Sequence, residues 1–297
     1  MKALPFFILL LCTVNCFAQG QRPDLEYSIK LENPRYKGPP KVMIGIDGGH
    51  NNVHQLDGGF APFAKLMKLD GYDLKAVNII SKEQLDSLDI MVIVNAIHES
   101  NVGNWQRPIA NAFPKEEIEL LENWVQNGGS LLVIADHMPC AGATHELAKA
   151  FGFGYKDGFV LSKKQKWPPE TYTKKSGDLF DTEVTKGIES ITSFTGSALV
   201  VPQDATPIAR FPKTHKLLIP EVAWQFDKNT EKLDTEGLFM GALKKHGQGK
   251  VAFFTEAAMF TAQIVQKRLK VGFNAPEAPN NIPFILNVMH WLDDNEM

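Results

Sequence analysis

Beyond its first forty residues the chain alternates short, unbroken apolar runs with stretches in which apolar residues recur at helical spacing. Val42 to Ile46, Tyr72 to Val77, Ile90 to Val94, Leu131 to Ala135, Gly237 to Leu243 and Val251 to Phe254 read as strands. Phe60, Phe63, Ala64 and Met67 share one helical face that stops at Gly71. Ile118, Leu121 and Val125 share another, which begins after Pro114 and ends at Gly128-Gly129, a pair suited to a left-handed C-terminal cap. A last helix runs through Ile282, Ile285, Leu286 and Met289. Apolar strands alternating with amphipathic helices predict a doubly wound α/β domain, its sheet mainly parallel and covered by helices on both faces.

Two stretches depart from that pattern. From about 155 to 235 the periodicity weakens, and Lys163, Lys164, Lys166, Lys174 and Lys175 are interleaved with Trp167, Pro168, Pro169 and Tyr172. This is read as an irregular insertion, either a solvated loop or a flap beside the site. At the other end Met1-Lys2, the apolar run Leu4 to Val14 and Cys16-Phe17-Ala18 have the form of a secretory signal cleaved near Ala18. Residues 19–40 are a polar, Pro-rich extended lead-in, and 41–297 form a single domain. The expected location is therefore periplasmic or secreted, with no membrane association after cleavage.

Export changes how the composition reads. Two of the three cysteines leave with the signal, so the remaining Cys140 has no internal disulfide partner and stability must come from a hydrophobic core. The 31 Lys and Arg stand against 34 Asp and Glu, which leaves no basic surplus for phosphate backbones, so nucleic acid is not an expected partner. A small molecule or oligosaccharide is. The oligomeric state is not legible.

In open parallel sheets ligands bind at the carboxyl ends of the strands. Asp47-Gly48-Gly49-His50-Asn51-Asn52-Val53-His54 follows the first strand, Asn95-Ala96-Ile97-His98-Glu99 the third, Asp136-His137-Met138-Pro139-Cys140 the fourth and Thr255-Glu256 the late one. Four of the eight histidines lie in these loops with several acids, so a shared cleft is predicted. Asp136, His137, Glu256 and Glu99 are the catalytic candidates, and His50, Asn51, Asn52, His54, Asn95 and His98 the substrate-binding ones. His50 and His54 are spaced for a shared helical face, so with His98 they form a candidate divalent-metal set; the alternative is hydrogen bonding or substrate contact in a loop. His98-Glu99 is either an acid/base pair or a loop pair satisfying backbone groups, and Glu256 is either a catalytic acid or a first-turn carboxylate of a following helix. Cys140 reads as a buried thiol rather than a nucleophile. His215 and His246 sit in Lys-rich stretches and read as solvated, whereas His290 belongs to the last helix.

The succession Gly49-His50-Asn51-Asn52, the run Trp124 to Leu132 leading into Ile134-Ala135-Asp136-His137, and Glu256 to Gln263 resemble exported bacterial proteins of the class I glutamine amidotransferase-like superfamily. The resemblance is to the group near the GIFT domain of gliding and intraflagellar-transport proteins and the ThuA-like proteins, and it covers most of residues 42–292. It implies a flavodoxin-like three-layer sandwich. Amidotransferases carry a nucleophilic Cys in the turn where this chain has Asp136-His137, so glutamine hydrolysis through a thioester is not expected. The functions left are a hydrolase of a carbohydrate-derived or similar polar small molecule and a non-catalytic carbohydrate- or peptide-binding module with Trp105, Trp167 and Tyr172 as stacking platforms. A scaffold for an exported complex is a third reading.

Overall fold

The computed structural model describes residues 20–39, 42–162 and 169–294. The expected export signal, together with Lys163, Lys164, Lys166, Trp167 and Pro168, lies outside them. The strands are β1 (Gln21–Pro23), β2 (Met43–Asp47), β3 (Asp73–Val77), β4 (Ile90–Val94), β5 (Ser130–Ile134), β6 (Gly154–Ser162), β7 (Glu170–Thr173), β8 (Ser190–Ser193), β9 (Gly196–Val200), β10 (Thr206–Arg210), β11 (His215–Ile219), β12 (Glu231–Asp234), β13 (Phe239–His246), β14 (Gly249–Phe254), β15 (Ala262–Val265) and β16 (Leu269–Gly272). The helices are α1 (Ala61–Leu69), α2 (Lys82–Leu85), α3 (Lys115–Gln126), α4 (Cys140–Ala143), α5 (His145–Ala150) and α6 (Asn281–Asp293).

The main sheet has eleven strands in the order β12-β11-β6-β9-β13-β14-β5-β4-β2-β3, with β10 added against β13. From β14 to β3 neighbouring strands are parallel. From β14 onward in the other direction every pairing is antiparallel, beginning with Gly241 opposite Phe254. Strands β1, β15 and β16 form a small second sheet and β7 pairs with β8. This mixed, strand-rich architecture overturns the expectation of a flavodoxin-like, mainly parallel sandwich flanked by helices. Among the described residues only α1, α3 and α6 exceed two helical turns.

The expectation failed in the stretch taken as irregular, which holds strands β6 to β12. Antiparallel strands can leave one face wet and then alternate polar with apolar residues, so they lack the continuous runs that mark a doubly covered strand. In β11, His215 and Leu217 are buried while Lys216 between them is partly exposed. His215 is therefore not solvated; its Nε2 lies 3.2 Å from Glu170 Oε2. Tyr172 in β7 is also buried, packed on Phe211, and is not a ligand platform.

In the parallel half, β4 and β5 are buried at every position and send alternate side chains to two cores. Val92 and Leu132 meet Phe63 and Met67 of α1 and Phe284 and Met289 of α6, whereas Met91, Ile93 and Val133 meet Leu121 and Val125 of α3. Helix α3 begins with Glu116 and Glu117 in its first turn, favourable to the helix dipole, and stops before Gly128 at φ +114°. No helix among the described residues is long and apolar enough to cross a membrane.

Candidate functional site

The chain places β3 and β4 on opposite sides of β2, so strand order reverses between β2 and β4 and a crevice opens at their carboxyl ends. Asp47 closes β2 with a fully buried carboxylate. It accepts the Gly49 backbone N–H at 3.1 Å, the Asn52 Nδ2 at 2.9 Å and His50 Nδ1 at 3.0 Å. The other ring nitrogen of His50 bonds Glu117 of α3 at 2.8 Å, and the ring packs on Phe113. Burial opposes charge on this imidazole, but the two carboxylates outweigh it and hold its pKa above the usual histidine value. Asn52 Nδ2 also donates to the Val94 carbonyl at 3.1 Å, tying this loop to the end of β4.

Asn95, at φ +49°, ends β4 in the left-handed region that Asn tolerates better than most residues. Its Oδ1 accepts the Asp136 backbone N–H at 2.8 Å, so its Nδ2 faces His54 Nδ1 at 3.1 Å and donates to it. His54 Nδ1 is therefore the acceptor and Nε2 carries the proton. Nε2 lies 2.9 Å from the Gln263 side-chain amide, whose oxygen must face the ring. Burial pushes the His54 pKa down to about 4, so the imidazole is a neutral relay of fixed orientation.

Asp136 and Glu256 leave the adjacent strands β5 and β14. Glu256 is 2% exposed and accepts the Ala258 and Met259 backbone N–H groups at 2.7 and 2.9 Å. The segment after it is a 3₁₀ turn over Ala258–Phe260, not the predicted helix. Burial first, and the neighbouring Asp136 second, raise the Glu256 pKa well above the carboxylate range. Burial also raises Asp136, opposed by His137 and by donors that include the His137 backbone N–H at 3.1 Å. Two such carboxyls do not both ionise readily, which favours the protonated form of Glu256. His137 donates Nδ1–H to the Met138 carbonyl at 2.8 Å, which leaves Nε2 as its lone-pair nitrogen. Its ring stacks on Phe159 at 4.5 Å and meets Trp224 edge-on at 4.7 Å.

These groups line a cavity of about 420 Å³. Of the residues predicted from sequence, Asn51, His54, Asn95, Asp136, His137 and Glu256 reach it, as does Cys140. Burial and the nearby Asp136 and Asp157 raise the Cys140 thiol well above its usual pKa, which disfavours the nucleophilic thiolate. His50 and Asn52 brace the loop behind the cavity. His98 accepts the Ser100 backbone N–H at 3.1 Å, and Glu99 is exposed in the same turn; neither lines the cavity. His50, His54 and His98 do not converge, and among the described residues no group of three His, Cys, Asp or Glu could hold a metal ion.

The sequence reading missed Trp224, whose backbone at φ +67° is an outlier for a bulky residue, and also Phe194, Thr195, Gln21, Val265 and Val271. Gln263 appeared only inside a motif. Trp105, named as a platform, does line the cavity. Gln21 reaches it because β1 pairs with β15, which turns the expected extended lead-in into part of the wall.

No family profile matches the chain. No curated protein matches it either. Among solved structures, the mmIFT52 N-terminal domain superposes with a TM-score of 0.59 at 14% identity, over 86% of this chain and 99% of that one, a likeness of fold. ThuA-like proteins are also among the structural neighbours. One from Bacteroides uniformis has a TM-score of 0.47 at 13% identity, over 86% of this chain and 93% of that one. A cytoplasmic protein of Salmonella typhimurium, STM1381, has a TM-score of 0.48 at 12% identity, over 85% and 99%.

Proposed function

We propose that the chain is an exported hydrolase of the glutamine amidotransferase-like superfamily, acting on a carbohydrate-derived or similar small molecule by general acid–base chemistry. The observation that carries this reading is the juxtaposition, in one cavity, of the Asp136 and Glu256 carboxyls with an oriented His137. His137 Nε2 takes a proton from water as the water oxygen bonds to the substrate carbon. The carboxyl pair returns a proton to the departing oxygen, so the balance closes without another reactant. Glu99 has no part in this scheme because it stands outside the cavity. The N-terminal signal pattern supports delivery to the periplasm or the exterior.

The test is turnover of a panel of chromogenic glycosides and esters by the mature protein. Hydrolysis of one class, reduced by about 100-fold or more in a folded His137→Gln variant, is expected from the usual contribution of a general base. Full turnover by His137→Gln would overturn the reading. A second reading, a binding module, is favoured by the two backbone N–H groups on Glu256, which commit its oxygens to structure. Saturable binding of a panel member without turnover supports it instead.

A further inference from the structure

The cavity sorts its charge in a way that acid–base chemistry alone does not demand. Among the described residues lining it, Asp136 and Glu256 are the only carboxyls, and there is no Lys or Arg. Arg107 lines a separate basin that shares Trp224 with this one and is held by Asp157 at 2.9 Å. The remaining walls are largely apolar and aromatic. Val53 and Val102, 46% and 56% exposed, stand at the mouth, and Trp105 and Trp224 flank the His137 ring at 6.3 and 4.7 Å.

We propose that this cavity selects a ligand bearing an ammonium group on an apolar or ring-shaped body, with the ammonium at Asp136 and the body against the apolar and indole wall. The inference rests on the proposed site but not on turnover there. Ionisation of either Asp136 or Glu256 places negative charge on the floor of the cavity, and a single ammonium neutralises it with a charge-assisted hydrogen bond. Indole faces add the attraction of an aromatic quadrupole for a cation. An anionic ligand would bring further negative charge to the same floor, where no Lys or Arg meets it. The volume of about 420 Å³ suits a ligand of metabolite size.

Benzylamine, benzyl alcohol and benzoate share one body and differ in charge, so they serve as probes. Affinities are read from the tryptophan indole N–H signals of the mature protein by NMR. Benzylamine is expected to bind at least about tenfold more tightly than benzoate, shifting the Trp105 and Trp224 signals, and Asp136→Asn to reduce that ratio to about threefold or less. Should Asp136→Asn fail to fold, Trp105→Ala is expected to weaken benzylamine and benzyl alcohol together. Benzoate binding as tightly as benzylamine, a ratio unchanged in Asp136→Asn, affinities unchanged in Trp105→Ala, or no response to benzylamine would each overturn the proposal. Failure of the hydrolase reading appears instead as full turnover by His137→Gln, with the charge preference intact.

Discussion

Replacing Glu256 by Gln exchanges a buried carboxyl for an amide of the same shape, and its surroundings set both the sign and the size of the effect. The two carboxyl oxygens accept backbone N–H groups of Ala258 and Met259 at 2.7 and 2.9 Å. Gln offers one acceptor there and sets its NH₂ against the second donor, and an unpaired buried donor costs about 1–3 kcal/mol. Against this stands the titration of Glu256 itself. Burial and Asp136 raise its folded pKa above the unfolded value of about 4.3, so the native chain binds more protons than the unfolded one between those two values. The stabilisation from that uptake is complete below the unfolded pKa and is lost as pH rises through the folded pKa. Gln cannot titrate and does not lose it. Glu256→Gln is therefore expected to be less stable than wild type by about 1–3 kcal/mol near pH 5, with the gap narrowing toward pH 8. Urea unfolding followed by circular dichroism, with equal m-values in the two proteins, measures the gap at each pH. A gap that stays constant across that range would refute the reasoning, because Glu256 would then titrate as an ordinary carboxyl.

The neutral His54, with a pKa of about 4, contributes stability that is complete above its unfolded value of about 6.5 and is lost as pH falls through the folded value. Wild type should lose about 3 kcal/mol more than His54→Gln over that window, and parallel acid slopes in urea unfolding would contradict this. Asp47→Asn removes one of the two carboxylates that keep His50 charged, so the NMR titration of the His50 ring should move to lower pH; an unchanged titration would count against the bridge. Asp24 is buried and accepts Asn274 Nδ2 at 2.8 Å, next to the β1–β15 pairing. Asp24→Ala should cost about 1–3 kcal/mol and speed hydrogen exchange at Ala262–Val265, and unaltered exchange there would show that β1 is not anchored by this bond.

What the sequence revealed follows from burial. Ile90 to Val94 and Leu131 to Ala135 were legible because both faces of those strands are covered, which leaves no polar position to blur the run. Strands β6 to β12 were not, because residues such as Lys216 face solvent between buried neighbours and imitate a loop. The same logic separates the site residues. Asp136, His137, Asn95 and Glu256 reach the cavity because they leave parallel strands directly. His98 and Glu99 lie a few residues further on, where the chain turns into a 3₁₀ segment capped by His98 itself. His50 is turned away by Asp47, Glu117 and Phe113, none of them adjacent to it in sequence. Trp224, Gln21 and Val265 come from distant segments, and only the tertiary fold brings them to the wall.

The most direct test of the account is a carbon-13 NMR titration of the Asp and Glu carboxyls in the protein. Glu256 is predicted to titrate well above the usual carboxylate range, and at lower pH in Asp136→Asn, where the neighbouring negative charge is gone. If Glu256 and Asp136 instead titrate independently near about pH 4 and Glu256 is unmoved by Asp136→Asn, the cavity does not favour the protonated form of Glu256 and the account fails.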